Sequence, residues 1–316
     1  MIYNKPPLSY FDHVKLWQSR GLQIDNPAKA TSYFQSISYY RLSVYALQFQ
    51  NKKDVFNDGT NFNDVLNLYR FDRELRIIVF SAIEQIELAL RSRIIHVLAN
   101  KYGSHWQDNR AIFKVERYQD PSGKEIVKDF YTDIQKLISE HCNAKFPEVF
   151  ISHYKTNYSS PTNPPSWMVI ELLTIGKLSH LYSALASKED KKEISKTFNL
   201  YHTIFENWLH TITYGRNLCA HHSRFWNRDF VIQPTIPRGQ LALPWITTAI
   251  TNNCRCFYFL SIVKYFLQNI NPNSNFKQRI IDLMNKYPDT PIKFMGINVD
   301  DDYKMFDWQN EPLWQQ

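Results

Sequence analysis

Apolar side chains recur every three or four residues along most of the chain, which is the spacing of one face of an α-helix. The longest such segment covers residues 62–102, contains neither glycine nor proline, and is followed by Gly103. A pattern of this length predicts either one long helix or two helices with a break near residues 70–72.

The same spacing predicts shorter helices on both sides of this segment. Before it, one helix capped by Ser9 ends at Gly21, a second begins at Pro27, and a third is expected over 38–50. After it, residues 104–125 are predicted to form a loop. Later helices are expected at residues 126–142, 146–156, 167–186, 188–198, 203–222, 245–270 and 275–287. The pattern therefore predicts an all-α protein without internal repeats.

This order of elements predicts three regions. Residues 1–55 are expected to form an N-terminal helical subdomain, and residues 56–288 the main helical domain. Residues 289–316, which include the acidic run at 300–302, are expected to be an irregular C-terminal tail.

The 316 residues carry a formal net charge of +7, and aromatic residues make up 15% of them. Such a chain suits a partner that offers phosphates and stackable bases, although an ordinary charged surface explains the same excess. Only 8 glycines are present, which argues against glycine-rich loops that cradle nucleotide phosphates. Four cysteines are too few for a disulfide framework, and no stretch is typical of a signal peptide or a membrane span. We therefore expect a cytoplasmic protein.

The clearest chemical signal closes the helix predicted over 203–222, where Arg216 precedes His221 by five positions. An imidazole transfers protons near neutral pH, and a guanidinium binds a phosphate and stabilises the charge of a five-coordinate phosphorus. RNA cleavage without a metal needs little more, because the ribose 2′-OH is the nucleophile. The alternative is that both residues cap the last carbonyls of the helix.

The spacing is not specific by itself, because Arg91 and His96 repeat it. For that second pair we favour an ion pair between Arg91 and Glu87 on a helix surface over a catalytic role. The spacing alone therefore does not assign a catalytic role to Arg216 and His221, and the sequence around them must support that role.

Helix geometry refines the first pair. Arg216 and His221 point about 140° apart on a straight helix, whereas Asn217 and His221 share a face. Asn217 can therefore orient the imidazole while Arg216 lies to one side. One helix end offers few acid–base groups, so a second copy of the chain would supply a second histidine. Within one chain, the adjacent His222 is the alternative.

Several longer stretches are more specific than this spacing, and they span about residues 3–230. They are Ile37–Ser43, Tyr69–Arg76, Ile83–Arg91, Tyr102–Trp106, Pro165–Met168, Gly176–Ser179, Trp208–His210, Arg216–Arg224 and Trp226–Arg228. In these stretches the chain resembles the abortive-infection (Abi, AbiD/AbiF-like) proteins of bacteria, members of the HEPN superfamily of RNA-cleaving domains.

The resemblance implies a HEPN-type helical bundle with an N-terminal helical extension and C-terminal helices. It implies a metal-independent endoribonuclease without a cofactor, acting in phage defence by growth arrest. The family's motif is an arginine, a polar residue, three residues and a histidine, which here are Arg216, Asn217 and His221. Its site is shared by two HEPN domains, so a single domain implies a homodimer. Some members are thought to associate with a small noncoding RNA, which makes RNA the expected partner.

Basic and aromatic side chains elsewhere are further candidates for RNA contacts. The RNA-binding candidates are Arg41, Arg70, Arg73, Arg76, Arg224 and Arg228. For the four that lie before residue 77, ion pairs with Asp72 and Glu74 on an exposed helix are the alternative. Base stacking is considered for four aromatic residues, although packing in the core is favoured. They are Tyr39, Tyr40, Trp106 and Trp226.

Two other functions stay open. The same fold can hold a structured RNA without cutting it, or it can silence a toxin by binding it. No metal site is expected, because Cys254 and Cys256 point about 200° apart on a helix and packing explains them.

Overall fold

The computed structural model describes residues 6–239, 241–246, 252–298 and 307–315. Within these ranges helices dominate, and the strands form two small two-stranded sheets. The predicted all-α class is therefore confirmed. None of the described helices is both long and apolar enough to cross a membrane.

Three short helices begin the described chain, and a side chain caps the start of each. The capping residues are Ser9, Asn26 and Ser38. The helices are α1 (Tyr10–Ser19), α2 (Pro27–Ile37) and α3 (Tyr39–Ala46). A small sheet of β1 (Gln50–Lys52) and β2 (Val55–Phe56) follows them. The three predicted helices are confirmed.

Helix α4 (Phe62–Tyr102) runs without interruption for 41 residues, so the single long helix is correct and no break occurs at residues 70–72. Gly103 follows with φ of +85°, a left-handed conformation that glycine adopts without steric strain. The glycine therefore ends the helix where the sequence predicts.

Residues 104–125 contain most of an antiparallel hairpin, so their assignment as a loop was wrong. Strand β3 (Val115–Gln119) pairs with β4 (Glu125–Asp129) over five residue pairs. Every residue of β3 is exposed, so no alternation of apolar and polar positions marks the strand in the sequence.

The middle of the chain folds into short helices, and the single helix predicted over 167–186 is wrong. The helices are α5 (Phe130–Cys142), α6 (Val149–Asn157), α7 (Ser166–Val169), α8 (Ile175–Ala184) and α9 (Lys188–Lys196). The chain is extended at Leu173, and the Thr174 side chain caps α8 by accepting a hydrogen bond from the Lys177 N–H at 3.4 Å. This cap starts a new helix and separates α8 from α7.

The last described helices are α10 (His202–Ala220), α11 (Cys256–Ile270), α12 (Phe276–Lys286) and α13 (Pro312–Gln315). Helix α11 begins later than the predicted start at residue 245, and residues 247–251 lie outside the described part. The acidic run at 300–302 also lies outside it. Residues 307–315 of the tail are not irregular, because they form a 3-10 turn and α13. Trp314 Nε1 donates to Ser261 Oγ at 3.1 Å and ties this segment to α11.

Short 3-10 turns connect several of these elements. They lie at Leu47–Phe49, Trp106–Asp108, Arg110–Ile112, Ile170–Leu172, Ile292–Met295 and Trp308–Asn310.

The chain divides into two compact units. The first unit comprises Met1–Ile77 and Gln278–Pro291, and aromatic rings such as those of Trp17 and Phe34 form its core. The second unit comprises Ile78–Lys277 and Ile292–Gln316, and there α10 packs against α8, α9 and α11. The predicted boundaries after residues 55 and 288 stay a prediction.

We predict that Gly215→Ala lowers the free energy of unfolding by about 1–3 kcal/mol, because overpacking would displace α10 from α11. A Cβ at Gly215 would overlap the Phe259 ring of α11. Urea denaturation followed by circular dichroism measures the loss. Gly176→Ala is the control, because its Cβ would meet Thr213 Cγ2 at an ordinary 3.6 Å. Equal losses in the two variants would contradict the close approach of α10 and α11.

Candidate functional site

Helix α10 ends in a Schellman motif that places three candidate side chains at the surface. His221 is the C-cap residue, and its N–H donates to the Asn217 carbonyl at 3.0 Å. The N–H groups of His222 and Ser223 donate to carbonyls of the last helical turn at 3.1 and 2.9 Å. The side chains of Asn217, His221 and His222 are exposed. The structure therefore brings these residues together at one helix end.

His222 occupies the position of this motif where glycine is most common. Its φ is +54°, in the left-handed region, where a side chain costs about 1 kcal/mol. Backbone strain of this kind clusters at functional sites. The sequence suggests a role for His222 only because it is adjacent to His221. Its strained backbone adds a structural argument for a functional role.

Aromatic packing fixes the other side of α10. Phe259 of α11 lies against Gly215, and the rings of Phe225 and Phe230 pack on Phe259 at centroid distances of 5.4 and 5.2 Å. These two rings belong to the loop that follows α10, so the loop folds back under the helix end. The Phe230 N–H donates to the Cys254 carbonyl at 2.8 Å, which ties the loop to the chain just before α11. The exposed histidines therefore rest on a rigid base.

Arg216 is half-buried and has two neighbours of different kinds. Its Nη1 donates to Asn217 Oδ1 at 3.3 Å, and its guanidinium carbon lies 6.0 Å from the centroid of the Phe80 ring on α4. Among the described residues, no carboxylate forms an ion pair with Arg216. Its charge is thus available to a phosphate. Because the Asn217 amide contacts Arg216, the predicted orientation of His221 by Asn217 stays a prediction.

One of the six arginines predicted to bind RNA is buried, which corrects that expectation. Arg76 is 5% exposed and forms an ion pair with Asp72, which is fully buried. The Tyr45 hydroxyl donates to Asp72 Oδ2 at 2.6 Å, and burial raises the pKa of Tyr45, so it donates as a neutral phenol. Arg76 therefore neutralises a carboxylate in the core of the first unit and does not reach a ligand.

The other three arginines of the first unit that were predicted to bind RNA are in contact with solvent. Arg73 is exposed, whereas Arg41 and Arg70 are half-buried. Arg70 Nη2 donates to the Tyr33 hydroxyl at 2.6 Å. Their role in RNA binding stays a prediction.

Arg224 and Arg228 lie in the loop after α10 and are half-buried. Within the described ranges neither forms an ion pair, so both keep a charge beside the helix end. Trp106 and Trp226 are 1% and 0% exposed, which confirms that they pack in the core. Tyr40, by contrast, is 82% exposed.

The second Arg–His pair has a structural role. Arg91 bonds Glu87 at 2.6 Å, so the predicted ion pair is confirmed, and it also bonds Glu171 at 2.7 Å. Its guanidinium donates to the Leu173 carbonyl at 2.9 Å and links α4 to the break between α7 and α8. His96 is exposed on α4.

Histidines, cysteines and carboxylates form no group of three or more that could hold a metal ion in the described part of the chain. Cys256 is buried at the start of α11, whereas Cys254 precedes the helix and is half-buried. All four cysteines are free thiols. Packing accounts for Cys256.

Sequence reasoning missed two histidines of the second unit, His180 on α8 and His210 on α10. They line a pocket of about 550 Å³ beside the β3–β4 hairpin. Partial burial lowers the pKa of His210 below its ordinary value, and the positive charges of His180 and Lys128 lower it further. The sequence does contain a signal for His210. This residue lies seven positions, or nearly two helical turns, before Asn217 and therefore on the same face of α10.

The family model of Abi-like proteins matches residues 32–227, which is more than half of the chain. The match includes all of α10 and the Schellman motif. Comparison with curated proteins and with solved structures gives no match.

We predict that His222→Gly raises the free energy of unfolding by up to about 1 kcal/mol, because glycine is unstrained at this φ. Urea denaturation of the purified variant measures the gain. His222→Ala is the matched control, since it removes the imidazole and keeps the strained backbone. A glycine variant no more stable than the alanine variant would show that the position is unstrained.

Proposed function

The chain belongs to the family of Abi-like proteins, and from this premise we propose that it is a metal-independent endoribonuclease of the HEPN type. Family membership points to abortive infection, the defence against phage. The cleavage of RNA is supported by one observation above all, the half-buried guanidinium of Arg216 and the two exposed imidazoles at the end of α10. Arg216, His221 and His222 supply the functional groups that this chemistry requires.

The proposed reaction uses the 2′-OH of the RNA as its nucleophile. One imidazole removes the proton of this hydroxyl as its oxygen attacks the adjacent phosphorus. The bond from phosphorus to the 5′-oxygen breaks, and a second acid protonates this leaving oxygen. Arg216 stabilises the additional negative charge on the five-coordinate phosphorus. The products are a 2′,3′-cyclic phosphate and a free 5′-hydroxyl.

We assign the first acid–base role to His221 and propose that a second copy of the chain completes the site. Phe80 and Leu88 are 42% and 56% exposed on α4, and Phe80 contacts Arg216. Exposed apolar side chains thus lie on α4 beside the site, with the exposed Glu84 between them, and such side chains are typical of the core of an interface. In a symmetric dimer through this surface, His221 and Arg216 of both copies would approach one phosphate.

The second candidate function is binding of RNA, including a small noncoding RNA, without cleavage. It is favoured by Arg224 and Arg228, which form no ion pair within the described ranges and offer further positive charge to RNA phosphates beside the end of α10. In that case Arg216 and His221 would contact the RNA backbone without taking part in a reaction.

We predict that the purified protein cleaves single-stranded RNA in the presence of EDTA and leaves 2′,3′-cyclic phosphate ends. His221→Ala should slow cleavage about 10²–10⁴-fold, as expected for a general acid or base. Arg216→Ala should slow it about 10²–10³-fold, because a charged donor to the transition state is lost. Gel analysis of end-labelled RNA before and after phosphatase treatment measures both the rates and the ends.

His153→Ala is the control for this experiment, since His153 is an exposed histidine on a different helix, α6. Cleavage that persists in His221→Ala would identify a contaminating nuclease or a different site. RNA retained by the wild-type protein without any cleavage would favour the binding function.

We predict that the wild-type protein is a dimer and that Leu88→Glu shifts it towards the monomer, because a charge would be buried at the proposed interface. Sedimentation velocity at several concentrations measures the mass. Val149→Glu is the matched control, because Val149 is 84% exposed on α6. A monomeric wild type, or equal effects of the two substitutions, would exclude this interface.

A further inference from the structure

A pocket of about 550 Å³ lies between α8, α10 and the β3–β4 hairpin of the second unit. The base of the hairpin is fixed to the end of α8, because the Lys114 N–H donates to the Ala184 carbonyl at 2.9 Å. A second bond of 2.9 Å joins the Ala186 N–H to the Ile112 carbonyl. The walls are therefore held by backbone hydrogen bonds, and the volume is within the range of small-molecule sites.

The charged groups around this pocket largely compensate one another. Glu116 pairs with Lys114 at 2.5 Å, and Glu206 pairs with Lys191 at 3.0 Å. Lys128 extends over the Tyr118 ring at 5.1 Å and, among the described residues, forms no ion pair. Asp133 on α5 also lines the pocket and is exposed. With both histidines neutral, the two lysines of the lining and Lys191 beside it balance the three carboxylates, so protonation of a histidine makes the net charge positive.

The histidines are the groups whose protonation can change near neutral pH. His180 lies close enough for its charge to lower the pKa of His210, and Lys128 acts in the same direction. A phosphate beside them would reverse this effect, because an anion favours the protonated imidazole. Binding of a phosphate would therefore take up protons, and its affinity would increase as the pH falls.

Helix α10 connects this pocket to the proposed cleavage site. Asn217 and His221 each lie about 20° from His210 around the helix axis, on either side of it, because seven and eleven residues are close to whole numbers of turns. Along the axis, Asn217 is about 10 Å and His221 about 17 Å from His210. The three side chains are exposed on one face of α10, where the half-buried Tyr214 lies between His210 and Asn217. These distances correspond to a few nucleotides of an extended strand.

We propose that this pocket is a subsite for a nucleotide that lies a few positions from the scissile phosphate of the RNA. Lys128, His180 and His210 hold the phosphate of this nucleotide, and Val127 and Phe130 form an apolar wall for its base. The inference rests on the proposed function, because it takes RNA as the ligand of α10.

The test is made on the full chain with His221→Ala, which prevents cleavage during the binding measurement. A short fluorescein-labelled single-stranded RNA in EDTA is the probe, and fluorescence anisotropy gives its Kd between about pH 7.5 and about pH 6. The pocket variant adds His180→Gln and His210→Gln, and a further variant adds Lys128→Gln. The matched control adds His153→Gln and Lys145→Gln, which change exposed residues of the same types elsewhere. Circular dichroism verifies that each variant is folded.

We expect the pocket variant to bind RNA about tenfold more weakly, as for the loss of charged hydrogen bonds to a phosphate. Its affinity should also increase less as the pH falls, whereas the control should follow its parent. Lys128→Gln should weaken binding and reduce the salt dependence of the Kd. In the cleaving protein, the two histidine substitutions should lower kcat/KM chiefly through KM.

Unchanged Kd and pH dependence in the pocket variant would overturn the subsite, while cleavage by the wild type would leave the proposed function intact. If the wild type does not cleave RNA but the pocket variant still loses affinity, the nuclease proposal fails and the subsite stands. Loss of affinity equal to that of the control variant would overturn the subsite as well.

Discussion

The close approach of α10 and α11 at Gly215 is the constraint on which the candidate site depends. A larger residue would overlap Phe259, and this ring in turn supports Phe225 and Phe230 of the following loop. Since interiors are close-packed, displacement of the ring would be transmitted to the end of α10. The position of Arg216, one residue after the glycine, is therefore set by packing on the adjacent face of the helix. The contact between Gly215 and Phe259 in the core thus determines where the side chains at the end of α10 lie.

The second constraint is the way in which α10 ends. The Schellman motif satisfies the last carbonyls of the helix, but it places His222 in a left-handed conformation that glycine would adopt at lower cost. Stability alone favours glycine here. A histidine at this position makes sense if its imidazole contributes to function, as proposed for a second proton carrier beside His221.

The sequence predicts those elements that local interactions determine. The Ser9 cap and the glycine after α4 identify the limits of their helices, because capping and left-handed backbone are properties of a few adjacent residues. The β3–β4 hairpin and the burial of Arg76 depend on tertiary contacts that no local pattern records. The spacing and chemistry of Arg216 and His221 identify this motif in the sequence. The pocket of His210 cannot be identified in this way, because the residues that form its other walls are distant in sequence.

The end of α10 is a C-terminus, which affects how a phosphate can bind there. The carbonyls at this end carry partial negative charge, so the backbone repels an anion, in contrast to a helix N-terminus. Attraction must therefore come from side chains, and Arg216, Arg224 and Arg228 lie at this end without ion pairs among the described residues. The lysines of the pocket, by comparison, are largely balanced by carboxylates. Under the proposed function, charge would attract the scissile phosphate to the helix end, and hydrogen bonds and shape would select a nucleotide of the same strand in the pocket.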